Sequence, residues 1–181
     1  MRSTAGRLLI AEPMMGDPNF DRTVVLVVEH TEAGALGLVL NRPSDLPVVE
    51  VLPGWEDVVT PPAVLHVGGP VEPTSGWCLA AVDDPGRPGF VPVVGRTGLL
   101  DLDTDPATLG DVRALRLYAG YSGWGPGQLD AELAQEAWIP VDALPDDPFH
   151  EASADLWPAI LARQGGSLAR LSVFPPDPSL N

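Results

Sequence analysis

The chain predicts a mixed α/β domain of the α+β type, and three observations carry that reading. Short runs rich in Val, Leu and Ile, Thr23 to Glu29 among them, have the length and composition of strands. Two later stretches, from about Pro126 to Glu136 and from Ala154 to Gln164, repeat apolar residues at helical spacing. Finally, 181 residues with no internal repeat and no shift in composition suit one domain, expected to span 1–181 with disordered ends at 1–6 and 174–181. A chain of that length buries roughly 70% of its extended surface, enough for a core without disulfides or metal.

The elements follow in order. Arg7 to Ala11 is a short apolar strand before Pro13, and the turn formers Gly16, Asp17, Pro18 and Asn19 separate it from the next run. Thr23 to Glu29 is apolar at both alternating sets of positions, as in a strand buried on two faces. Glu32-Ala33-Gly34 turns the chain, Ala35 to Leu40 returns as a hairpin partner, and Pro43 ends the pair. Val48 to Leu52 is one helical turn. Val64 to Val67 and Trp77 to Val82 are strands around the connection Gly68-Gly69-Pro70, with Gly98 to Leu102 and Arg113 to Ala119 as two more. Asp105-Pro106 starts a short helix with proline at its first position. Gly120 to Gly127 is expected as a loop leading into the helix on which Leu129, Leu133 and Ala137 share a face. Trp138 to Val141 is a final strand. Leu156, Ile160 and Leu161 face inward from the last helix, which Gly165-Gly166 closes.

Charge excludes several functions. Ten arginines, no lysine and twenty-five acids give a formal charge of −15. From Leu117 to Ala162 there are eight acids and neither Arg nor Lys, so this stretch repels phosphate, and direct nucleic-acid binding is not expected. Without lysine there is no Schiff base and no phosphate-loop lysine. Cys78, the single cysteine, sits in the apolar run Trp77 to Val82 and reads as a small core residue. Disulfide independence fits the cytoplasm. The longest aliphatic runs fall far short of the roughly 20 residues of a membrane span. Leu8 to Ala11 is also shorter than the apolar segment of a secretion signal.

Three blocks resemble one family. The first runs from Leu8-Leu9-Ile10-Ala11 through Asp17, Phe20, Arg22-Thr23-Val24-Val25, Glu29-His30, Gly34-Ala35 and Gly37 to Asn41-Arg42-Pro43. The second is Gly68-Gly69-Pro70-Val71. The third is Gly120-Tyr121-Ser122 with Trp124, Gly127-Gln128-Leu129, Glu132 and Trp138. In this order the blocks resemble the AlgH (YqgE) family over about Gly6 to Leu171. The resemblance implies a compact domain with a strongly bent, partly barrel-like mixed sheet flanked by helices. It implies no enzymatic activity. Asp130 stands where the family usually has Glu, and Pro43 to Pro62 matches weakly.

Four constellations could carry chemistry. Glu29-His30 pairs a carboxylate with an imidazole, but neighbours on a strand point to opposite faces, which favours a structural role. Arg42 beside Asn41 and Gly68-Gly69 offers a small-anion site, against the alternative that Arg42 answers Asp17 or Asp21 and the glycines serve backbone geometry. The Gly120–Gly127 segment precedes a helix, yet Gln128, Asp130 and Glu132 fill the first turns and oppose a phosphate, so Trp124 packing over a helix entry is favoured. Ser122 within Gly120-Tyr121-Ser122-Gly123-Trp124, followed by Asp142, Asp146, Asp147 and His150, has the residue order of an α/β-hydrolase, but Trp124 replaces the last elbow glycine. His30, His66 and His150 have no metal-ligand spacing, so neither metal nor cofactor is expected. The preferred expectation is a cytoplasmic binding or regulatory protein acting through a protein partner or small ligand. Its cleft would be lined by Glu29, His30, Asn41, Arg42, Gly69, Trp124 and Gln128. A hydrolase using Ser122 and His150, and a transcriptional regulator acting indirectly, are the alternatives.

Overall fold

The computed structural model describes residues 2–175; of the end expected to be disordered, 174–181, residues 176–181 lie outside the described residues. The strands are β1 (Arg7–Ala11), β2 (Val24–Thr31), β3 (Gly34–Val39), β4 (Pro43–Pro47), β5 (Val64–Val67), β6 (Val71–Val82), β7 (Phe90–Val94), β8 (Thr97–Leu100), β9 (Val112–Trp124) and β10 (Trp138–Asp142). The helices are α1 (Val48–Val51), α2 (Gln128–Ala134), α3 (Leu156–Gln164) and α4 (Gly166–Leu171). One ten-stranded sheet runs β10-β1-β2-β3-β9-β6-β8-β7, and β5 joins it on β9 with β4 outside β5. The pairing is antiparallel except for β5 against β9, where His66 lies beside Tyr118 and Val67 beside Ala119. The chain is thus an α+β domain.

The sheet bends until its ends approach without pairing. Thr97 Oγ1 donates to the Pro145 carbonyl at 2.8 Å, and a Cβ placed on Gly6 would stand 2.8 Å from the Val93 carbonyl. β10 and β7 stay separate strands, so the sheet is strongly curved but not closed. Alternation then serves two cores. Leu8, Ile10, Val24, Leu26, Leu38 and Leu40 face α3, meeting Leu156, Trp157, Ile160 and Leu161. Leu9, Ala11, Val25, Val27 and Val39 face the other way, against Trp124, Leu129 and Trp138. Both sets are fully or almost fully buried, which explains why the Val24 run has no polar face. A third core collects Val48, Trp55, Val59 and Leu65 under β6, β8 and β9.

Several segments depart from expectation. Residues 120–124, expected as a loop, are the last five residues of the long strand β9. Their glycines allow backbones to touch. A Cβ on Gly69 would lie 2.2 Å from the Tyr121 backbone, and one on Gly120 would lie 2.5 Å from the Gly69 carbonyl. Strand β4 begins at Pro43, where the hairpin was expected simply to end, and β7 contains Pro92. β4 pairs only with β5 and β7 only with β8, so these prolines sit on edges where the missing N–H breaks no central ladder. Near the start of the chain, Thr4 is buried and its N–H donates to His30 Nδ1 at 3.2 Å.

Candidate functional site

The seven candidate residues divide among several environments. Register across β2, β3 and β9 separates Glu29 from His30. Val28 is an extra residue in a bulge between Val27 and Glu29. Beyond it His30 lies opposite Ala35, which lies opposite Trp124, so these three share one face; Glu29, Leu36 and Gly123 share the other. His30 is buried between the chain start and α2. Its Nδ1 is 3.0 Å from Thr4 Oγ1 and accepts the Thr4 N–H, and its Nε2 faces Asp130 Oδ2 at 3.8 Å. It joins three segments rather than lining a cavity.

Asn41 also has a structural task. Its Oδ1 accepts the Val24 N–H and its Nδ2 donates to the Arg22 carbonyl, both at 2.8 Å, which extends the β2–β3 ladder by a side chain. Arg42 was expected either as part of a small-anion site or as answering Asp17 or Asp21. Instead its guanidinium donates to the backbone carbonyls of Pro18, at 3.2 Å, and Asp21, at 2.9 Å. The Asp17 carboxylate is turned onto the Asn19 N–H within the same turn. Arg42 and Gly69 line one small cavity of about 80 Å³ with Asn19, Val39, Val67 and Pro70.

Two hollows adjoin Trp124, as two others, of about 470 and 300 Å³, adjoin Trp77. On one side an open depression of about 410 Å³ is lined by Trp124, Tyr121, Glu29, Leu36 and Val71. On the other a pocket of about 280 Å³ is lined by Trp124, Trp138, Phe20, Gln128 and Glu132. Glu132 organises this second pocket. Its Oε2 accepts the indole N–H of both Trp124 and Trp138 at 2.8 Å, and its Oε1 accepts Gln128 Nε2 at 3.0 Å. Gln128 and Glu132 are four apart on α2 and so lie on one helix face. Gln128 Oε1 in turn accepts the Gly125 N–H, tying the end of β9 to the helix. The joint role of Glu132 and Phe20 was missed from sequence. The (i, i+4) pair was visible there, but the meeting of two tryptophans fourteen residues apart on one oxygen depends on how β9 and β10 lie against α2.

The Ser122–His150 arrangement is not assembled. Ser122 is fully buried within β9 and donates to the Gly68 carbonyl at 3.2 Å, whereas His150 is exposed and its backbone carbonyl accepts from Arg116. A different serine and histidine do meet. His66 Nε2 and Ser153 Oγ are 2.9 Å apart and both side chains are buried. Burial pushes the His66 pKa down to about 4, helped by the Arg116 charge. The Val64 backbone, near the ring but outside hydrogen-bond geometry for Nδ1, weakly opposes them. At neutral pH the ring is uncharged and a weak base, and it is cut off from solvent, which suits a strut between β5 and the start of α3.

Arg116 is the unusual member of this cluster. It is almost fully buried, and its guanidinium donates to the carbonyls of Pro148 and His150 at 2.9 Å and of Pro61 at 2.8 Å. Among the described residues it has no carboxylate partner, and desolvation lowers its pKa. Three carbonyl dipoles take the place of a counter-ion.

A curved, unclosed sheet, a carboxylate shared by two indoles, and a buried serine–histidine strut define a single α+β domain with ligand-sized hollows beside Trp124. The chain belongs to the AlgH-like family, whose sequence pattern matches residues 8–169. It is 44% identical to a UPF0301 protein of Streptomyces avermitilis, an alignment covering 99% of this chain and 96% of that one. Identity to a UPF0301 protein of Mycobacterium tuberculosis is 43%, with 99% and 92% covered. The crystal structure of a Corynebacterium diphtheriae protein superposes with a TM-score of 0.90 at 32% identity, covering 96% of this chain and 94% of that one. The solution structure of the AlgH protein from Pseudomonas aeruginosa gives 0.71 at 33% identity, with 97% and 98% covered. No described helix is long and apolar enough to cross a membrane.

Proposed function

We propose that this chain is a cytoplasmic binding protein whose recognition surface is the region around Trp124, and that it acts through a small ligand or a protein partner rather than by catalysis. The observation that carries this reading is the placement of Trp124 as a wall shared by two hollows of about 410 and 280 Å³, with Glu29 and Tyr121 in one and Gln128 and Glu132 in the other. Gln128 and Glu132 have the character of recognition groups: hydrogen bonds from Gly125, Trp124 and Trp138 and between the two side chains hold them in place, and no nucleophile there is hydrogen-bonded to an exposed base. A formal charge of −15 supports regulation through an intermediary rather than by gripping nucleic acid.

The reading is tested by following the indole N–H resonances while a broad metabolite set and a cell extract are added. Binding moves the Trp124 resonance ahead of those of Trp55 and Trp157, which lie in other cores. If no compound or extract fraction moves Trp124, and none raises the melting temperature, the surface is only a packing feature and the proposal falls.

A further inference from the structure

The pocket between α2, β10 and the turn at 15–20 has a chemistry that names a ligand class. Three aromatic rings bound it. Phe20 meets Trp138 edge-on at 5.5 Å between centroids and lies within 25° of parallel to Trp124 at 6.4 Å; Trp124 and Trp138 are 6.0 Å apart. Glu132 and Asp17 also line it, with Gln128. Every hydrogen bond found on the Glu132 carboxylate comes from a neutral donor: two indoles and a side-chain amide. None of the lining residues is basic, and among the described residues neither Glu132 nor Asp17 forms an ion pair. Two arginines beside the turn at 15–20 are committed elsewhere. Arg42 holds the Pro18 and Asp21 carbonyls, and Arg22 lies over Trp157 while donating to the Phe174 and Pro175 carbonyls.

An aromatic hollow with uncompensated negative charge repels anions and attracts cations. An indole that donates its N–H to a carboxylate is also more electron-rich, which strengthens the attraction of its ring for a positive charge. A strongly hydrated ion gains little from ring faces, whereas an alkylated ammonium sheds its water readily and spreads its charge over carbon-bound hydrogens. We propose that this pocket binds an alkylated ammonium head group, with Phe20, Trp124 and Trp138 contacting its methyl groups and Glu132 and Asp17 supplying the opposite charge. The proposal rests on the reading of Trp124 as part of a binding surface and narrows it to one ligand class. A free quaternary amine and a trimethylated lysine side chain carry the same head group, so the test contains both.

The protein is titrated with tetramethylammonium, choline, a trimethyl-lysine peptide, and 3,3-dimethylbutanol, the uncharged shape-mimic of choline. Two-dimensional spectra of the five indole N–H groups are the readout. The cations are expected to move the Trp124 and Trp138 signals and leave Trp55, Trp77 and Trp157 in place, while dimethylbutanol binds at least about tenfold more weakly. Stronger binding of choline than of the peptide marks a small-molecule ligand, and the reverse order marks a modified protein tail. Glu132→Gln keeps an oxygen for the indoles but removes the charge, and is expected to weaken the cations about tenfold. Phe20→Leu, on the exposed side of the cluster, serves if that variant folds poorly. Equal binding of dimethylbutanol and choline would overturn the proposal, as would cations that leave both signals unmoved. If the cations fail but a neutral or anionic compound moves the same signals, the ligand class is wrong and the binding surface stands. If nothing moves them, both readings fail.

Discussion

His66 gives the domain a measurable dependence on acid. The ring is 0% exposed, with Ser153 at 2.9 Å, the Tyr118 ring at 5.8 Å between centroids, and the Arg116 charge nearby. Its pKa is held at about 4 in the fold against 6.5 for the free side chain. Between those values the unfolded chain binds a proton that the folded chain refuses, so the contribution is complete above about pH 6.5 and is lost as pH falls toward 4. A difference of about two and a half pKa units at 1.36 kcal/mol each makes the loss about 3 kcal/mol. Acidic side chains add their own pH dependence, so the test compares the wild-type chain with His66→Gln by urea unfolding at several pH values from 7 to 4. The substitution costs some packing at every pH, but the cost contains no titration. The stability gap between the two proteins is therefore expected to shrink by about 3 kcal/mol on acidification, or about 1.5 M in the urea midpoint for an m-value near 2 kcal/mol/M. A gap that stays constant from pH 7 to 4 would refute the assignment of a buried, neutral His66.

Further outcomes follow from other buried contacts. Arg116→Met keeps much of the volume but leaves the carbonyls of Pro61, Pro148 and His150 without their shared donor, and should cost about 3–5 kcal/mol in urea unfolding; a cost below about 1 kcal/mol would show that those carbonyls find other donors. Gly69→Ala brings a Cβ within 2.2 Å of the Tyr121 backbone at a φ of +153°, so a loss of about 3–5 kcal/mol, or failure to fold, is expected from expression yield and thermal melting. Asn41→Ala leaves the Val24 N–H and the Arg22 carbonyl unpaired and should cost about 2–4 kcal/mol, while ligands at Trp124 bind the folded fraction unchanged. Weakened ligand binding in that variant would move Asn41 back into a site.

What the sequence revealed depended on whether the signal was local. β2 was legible because Val24 to Val28 is apolar on both alternating sets, and α3 because Leu156, Ile160 and Leu161 fall on one stripe. β4 and β7 were hidden by their own prolines, which read as breaks until the strands are seen to lie on edges. The end of β9 was misread because glycine serves two purposes. Gly120 suggests a turn, yet here it admits the Gly69 backbone, a partner some fifty residues earlier. The opposite orientations of Glu29 and His30 follow from strand periodicity alone. The shared oxygen of Glu132, and the carbonyl cage of Arg116, required side chains from distant segments whose approach is set only by the curvature of the sheet. Pairing a serine with a histidine by order along the chain singled out Ser122 and His150, whereas the fold joins Ser153 to His66.

Cys78 lies on β6 with its side chain closed in by the core and its thiol pKa pushed well above the ordinary range by burial. In the folded state it offers a thiol-specific reagent neither access nor a thiolate. With one cysteine in the whole chain, any labelling therefore timestamps a molecule whose central strands have come apart. The protein carries a built-in clock for its own opening, and every variant discussed above, with or without ligand, can be compared by how fast that single sulfur is trapped.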